Sequence, residues 1–208
     1  MTLGRIQGDY SSLTIDGKDW TKDELSILGD ALGGVQHVFN DSSTTFSAAI
    51  GHWTVQRRHW GLSLWTCGIG CTFSPARTIT FYDGVFKEDS EAKLDIIHEF
   101  GHAFDDNEDI NTPKSLGEFR TKFWPGSFRF FTKAYPFGPC FEGIQGLPAS
   151  EYAKQNTAED FAETFAVYVW MQNGWGFSAP FWLTQVTIPD PDRLQYMATL
   201  IESYNSAH

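Results

Sequence analysis

Leu94-Asp95-Ile96-Ile97-His98-Glu99-Phe100-Gly101-His102 carries the pattern H-E-x-x-H at the end of an apolar stretch. Leu94, Ile96 and Ile97 read as the buried part of a helix that continues through the motif. An α-helix turns once in about 3.6 residues, so His98 and His102 project from one face. Two imidazoles placed this way can take adjacent corners of a zinc tetrahedron. Glu99 lies between them in sequence and can reach a water held by the metal without being a ligand, which suits a general base. The plainer alternative is a helix that carries two surface histidines by chance.

A metal site needs a further protein ligand. A metzincin extension would require glycine at 105 and histidine at 108, where the chain has Asp105 and Glu108. The better source is the segment from Tyr152 to Glu163. Thr157 reads as an N-cap with Asp160 three residues on, and Phe161, Phe165, Tyr168 and Val169 follow at helical spacing. Glu159 and Glu163 then share one face of that helix. Two ionised carboxylates so placed repel mildly in water. A metal held by one of them removes the conflict, and the other can accept a hydrogen bond from a ligand histidine. Glu159 is the expected third ligand and Glu163 the supporting carboxylate, with an ordinary acidic helix face as the alternative. Tyr168 reads as core. Tyr152, just before this helix, is a phenol that could donate to an oxyanion, or simply one more buried aromatic.

The two segments together resemble a known family. His98-Glu99-Phe100-Gly101-His102, with a tyrosine seven residues before the first glutamate of Glu159-Asp160-Phe161-Ala162-Glu163, is similar to the catalytic domain of anthrax lethal factor. It is equally similar to the small secreted Pro-Pro endopeptidases related to it, zinc metalloproteases of the gluzincin type. The resemblance covers about residues 91–106 and 148–170. It implies a zincin-like α+β fold in which a small mixed sheet lies beside the active-site helices. It further implies Zn²⁺ held by His98, His102 and Glu159, with Glu99 as base, Tyr152 as the oxyanion donor and Glu163 behind the ligands. A protein or peptide substrate and a secreted location are also implied. Nothing before residue 75 takes part, so the resemblance does not extend to which peptide is cut.

Length and composition agree with one enzyme-sized domain over 1–208, a helical and strand part to about 90 followed by the motif-bearing part. A chain of 208 residues can bury a real core, and 41% hydrophobic and 16% aromatic residues argue against disorder. A formal charge of −11 argues against nucleic acid, whose phosphates need a basic patch. The nearest approach to one is Arg57-Arg58-His59. No run of about twenty apolar residues could span a membrane, and no apolar stretch follows Met1-Thr2-Leu3-Gly4-Arg5 as a signal peptide would need. Of the three cysteines, Cys67 and Cys71 are close enough in sequence to pair in an oxidising compartment.

Elsewhere the local signals are uneven. The segment to about residue 20 reads as irregular. Thr21-Lys22-Asp23-Glu24 is a capping box, and Leu25, Leu28, Leu32, Val35 and Phe39 form one apolar stripe past Gly33-Gly34. Residues 44–56 fit helix or strand, Trp60 to Trp65 alternates like a strand, and Arg77 to Phe86 is the clearest strand, with Ile79, Phe81 and Val85 on one face. That strand could border a cleft and take an extended peptide along its edge, or lie inside the sheet. Pro113 to Pro148 is broken by Pro125-Gly126 and Gly138-Pro139, so much of it should be loop that could wall a cleft. Asp190-Pro191 caps a last helix along Leu194, Met197, Leu200, Ile201 and Tyr204.

The expectation is therefore a single α+β domain acting as a zinc-dependent endopeptidase. Three competitors remain at this level: the same chemistry as a toxin or effector module of a larger secreted protein, a non-catalytic aromatic-rich binding module, and a zinc hydrolase acting on something other than a peptide.

Overall fold

The structure, a computed structural model, describes residues 1–59, 70–107, 115–125, 145–150, 152–176 and 190–208. The fold is α+β. In chain order the elements are α1 (Leu3–Asp9), β1 (Leu13–Ile15), α2 (Lys22–Val38), α3 (Ser43–Ile50), β2 (Trp53–Arg58), β3 (Gly70–Phe73), β4 (Thr78–Tyr82), α4 (Asp89–Asp105), α5 (Ser115–Phe123), α6 (Thr157–Gln172) and α7 (Pro191–Ala207). The sheet runs β1-β2-β4-β3. The first three of these are parallel, and β3 is antiparallel to β4 with Thr72 opposite Ile79. The sheet is thus mixed, as expected. Among the described residues no helix is long and apolar enough to cross a membrane.

The opening segment is not irregular. Ile6 of α1 is buried, and Leu13 and Ile15 of β1 turn inward while Thr14 faces out. Both elements are too short for a periodic pattern to show above chance. The ambiguous stretch 44–56 is both things in succession: α3, capped by Ser42, ends at Gly51 with φ +76°, and β2 begins at Trp53.

Glu24 completes the capping box of α2: Thr21 Oγ1 accepts from the Glu24 amide, and Glu24 Oε2 accepts from the Thr21 amide at 2.8 Å. Its other oxygen receives two bonds from Arg57, which points into the protein from β2 and also reaches Asp83. Arg57 therefore belongs to a buried ion-pair network and not to a surface patch. A buried guanidinium needs such partners because an unpaired charge there would be costly.

The strand expected over Arg77 to Phe86 is confined to Thr78–Tyr82. Arg77 adopts a left-handed backbone with φ 45°, and the chain leaves the sheet after Tyr82 into a 3-10 turn at Val85–Lys87. Val85 is still buried, which is why its spacing looked strand-like. β4 lies inside the sheet, and among the described residues the edge strands are β1 and β3. The strand read at Trp60 to Trp65 and Cys67, with its possible pairing, lie outside the described residues.

Part of Pro113 to Pro148 is helical. In α5, Phe119 and Phe123 pack against Phe161 and Tyr196, and Trp124 follows, buried. Residues 126–144 lie outside the described part. The cap of α6 lies one residue before the expected Thr157: the Asn156 side chain accepts from the amides of Ala158 and Glu159, and Thr157 is the first helical residue. Asparagine caps at least as well as threonine, since its carbonyl reaches both orphan amides. Tyr168 packs against the core, as its spacing suggested.

α4 and α6 cross in close contact, with Phe104 against Phe161 and Phe165. A Cβ on Gly101 would stand 2.9 Å from Ala162 Cα and 3.0 Å from Ala162 O. The glycine of the motif is therefore what lets the two helices approach backbone to backbone.

Candidate metal centre

His98 and His102 come from α4, and Glu159 from the first turn of α6 opposite them. The two Nε2 atoms lie 3.1 Å apart, and Glu159 Oε2 is 3.1 Å from His98 Nε2 and 3.3 Å from His102 Nε2. For an ion held tetrahedrally at about 2.0–2.1 Å, elementary geometry sets neighbouring ligand atoms about 3.3 Å apart. The three edges fit that figure. Glu159 Oε2 is buried yet makes no hydrogen bond of acceptable geometry, although two ring nitrogens are within reach. Such an arrangement suits atoms aimed at a shared point better than atoms aimed at one another. His98, His102 and Glu159 could thus hold a metal ion.

Charge within the triad follows from its burial and proximity. Burial alone would lower the His98 pKa, but the adjacent Glu159 carboxylate outweighs it and raises the value to about 9. His102 is raised for the same reasons, again against the pull of burial. Burial would push the Glu159 carboxyl up, yet the two histidines hold it well below its ordinary range. Without a metal, the two histidines therefore hold their protons more firmly than free imidazoles do. A metal would have to displace them.

Glu99 is buried beside the histidines, and its Oε2 accepts a 2.6 Å hydrogen bond from Thr72 Oγ1 on β3. Tyr152 stands at the start of the 3-10 turn Ala153–Gln155, with its ring centroid 6.0 Å from that of His98. It is 48% exposed. Partial burial first, then Glu159, Glu99, Glu163 and Asp95, push its phenol above the ordinary value of 10.0, so it remains a donor at neutral pH. The Ser150 hydroxyl accepts from the Ala153 amide at 2.9 Å, bracing the turn that follows Tyr152.

Glu163 lies one turn beyond Glu159 on α6. It is buried near His98, its Oε2 makes no hydrogen bond among the described residues, and burial raises its pKa. Asp160 is committed elsewhere. It accepts from Arg193 through Nε at 3.1 Å and Nη2 at 2.9 Å, and from Trp124 Nε1 at 2.8 Å. Asp160 and Arg193 are both completely buried.

Thr72, Ser150, Asp95 and Arg193 were not anticipated. Asp95 had a visible signal, since it precedes Glu99 by one helical turn in the same run. Burial, opposed by His98 and reinforced by Glu99, raises its pKa to about 7. The other three meet the site only through the fold.

Comparison with protein-family models, with curated proteins and with solved structures found no match for this chain. The resemblance to the lethal factor and Pro-Pro endopeptidase family accordingly rests on the two motif segments.

Proposed function

We propose that this protein is a zinc-dependent endopeptidase of the kind its two motifs resemble. The observation that carries the reading is the triangle of His98 Nε2, His102 Nε2 and Glu159 Oε2, whose edges of 3.1, 3.1 and 3.3 Å suit one small tetrahedral ion. Two imidazoles and a carboxylate are a donor set for zinc, with a further position open to water or substrate. Zinc held there would lower the pKa of a water and polarise a peptide carbonyl.

Glu99 takes a proton from the attacking water as the water oxygen bonds to the carbonyl carbon. It then gives that proton to the leaving nitrogen as the C–N bond breaks. Tyr152 donates to the developing oxyanion. An extended peptide is the favoured substrate class. Among the described residues β3 pairs on one side only, and its Thr72 touches Glu99, so a chain laid along the free edge would pass the base.

Among the described residues the aromatic-rich binding module finds no support. Trp53, Trp124 and Trp170 are buried, and Trp20 and Trp175 pack against the core. No described tryptophan is left exposed. The test is Glu99→Gln assayed on a peptide library. It should retain zinc and lose cleavage by about 10²–10⁴-fold. Cleavage at the normal rate would remove Glu99 as the base.

A further inference from the structure

Thr72 sits in β3, the antiparallel strand against β4, at the register position opposite Ile79. It is half-buried, and its hydroxyl lies 2.6 Å from Glu99 Oε2 and 3.1 Å from the Glu99 carbonyl oxygen. A hydroxyl has one proton to give. The shorter contact is the stronger, so the proton goes to Oε2. A β-branched side chain in a strand has little rotamer freedom, and the ladder from Gly70 to Phe73 fixes its backbone. The hydroxyl is therefore held before any substrate arrives.

We propose that Thr72 is the positioning residue for Glu99. By occupying Oε2, it locks the carboxylate in one rotamer and leaves Oε1 as the oxygen that takes and returns the proton. This inference rests on the endopeptidase reading, in which Glu99 is the base. In that cycle the proton leaves the attacking water, resides on Oε1 and passes to the leaving nitrogen. Oε2 accepts the Thr72 hydrogen bond throughout, whether the carboxyl is charged or neutral. A strand that also offers its edge to an extended peptide thus holds the base in register with the bond to be cut.

The variants are Thr72→Val, which keeps shape and strand preference but has no hydroxyl, and Thr72→Ser, which keeps the hydroxyl. Wild type and both variants are loaded with zinc and assayed on a peptide that the wild type cleaves. Thr72→Val should lower kcat by about 10- to 100-fold, the usual cost of losing such a supporting contact, with full zinc content. Its KM should stay within about twofold, since substrate binding does not use this hydrogen bond. Thr72→Ser should restore kcat to within about threefold of wild type, because the donor returns. Where Thr72→Val lowers the melting temperature, Thr72→Ala removes the hydroxyl without setting a methyl against the carboxylate and is read the same way. A folded, zinc-loaded variant without the hydroxyl that keeps its kcat overturns the inference. So does a loss of kcat that only follows a loss of zinc. A wild type that holds zinc but cleaves no peptide overturns the endopeptidase reading itself, and this inference with it.

Discussion

Gly101 lies against the backbone of Ala162, close enough that a Cβ would come within 2.9 Å of its Cα. That contact sets the separation of α4 and α6, and so the reach of Glu159 to the histidines. Gly101→Ala should force the helices apart, lowering both the melting temperature and the zinc affinity. Gly33→Ala is the control. Its added methyl would meet nothing nearer than the Tyr10 hydroxyl at 3.9 Å, and helix propensity alone should stabilise α2 by about 0.5–1 kcal/mol. Thermal melts with zinc titration compare the two; equal behaviour would show that the crossing tolerates a side chain.

Arg193 and Asp160 tie α7 to α6 directly behind Glu159. Removing one partner strands a buried charge, so Arg193→Met should cost about 3–5 kcal/mol in denaturant unfolding. Adding Asp160→Leu to it should recover part of that loss, because two apolar side chains leave no charge stranded. A single variant as stable as wild type would show that the pair is dispensable.

Metal-free protein should weaken as pH rises. A histidine whose pKa is higher folded than unfolded contributes stability that is fully present below the unfolded value and lost through the folded one. For His98 the window runs from 6.5 to about 9. Asp95 acts in the same direction, but its effect is spent by about pH 7, so the later decline belongs to the histidine pair. Zinc replaces the protons and should flatten the curve above neutrality. Urea midpoints with and without zinc test this, and a metal-free protein equally stable at about pH 6 and about pH 9 would contradict it.

Tyr152→Phe removes the proposed oxyanion donor and leaves the His98, His102 and Glu159 side chains in place. It should keep zinc and lose about 10²–10³ in kcat. A variant with unchanged kcat would make the tyrosine a wall of the site and nothing more.

What the sequence disclosed was what local patterns can carry. H-E-x-x-H, the capping box at Thr21 and the Asp190-Pro191 cap are written in neighbouring residues, and each forms as read. Glu159 could be chosen because its turn shares a face with few competitors. Thr72 and Arg193 had no such mark. Their partners lie 27 and 33 residues away, and a threonine in a strand or an arginine near a helix start looks ordinary. For Glu163 the sequence shows the helix face but not the group it meets, because spacing along one helix does not say how far that helix stands from the next.

Metal content is the most direct test of the account. Purified wild type and Glu159→Ala, incubated with zinc and then dialysed, would be compared by mass spectrometry. The account expects one zinc per chain in wild type and loss of binding in the variant. Wild type that takes up no zinc, or Glu159→Ala that holds as much, would contradict it.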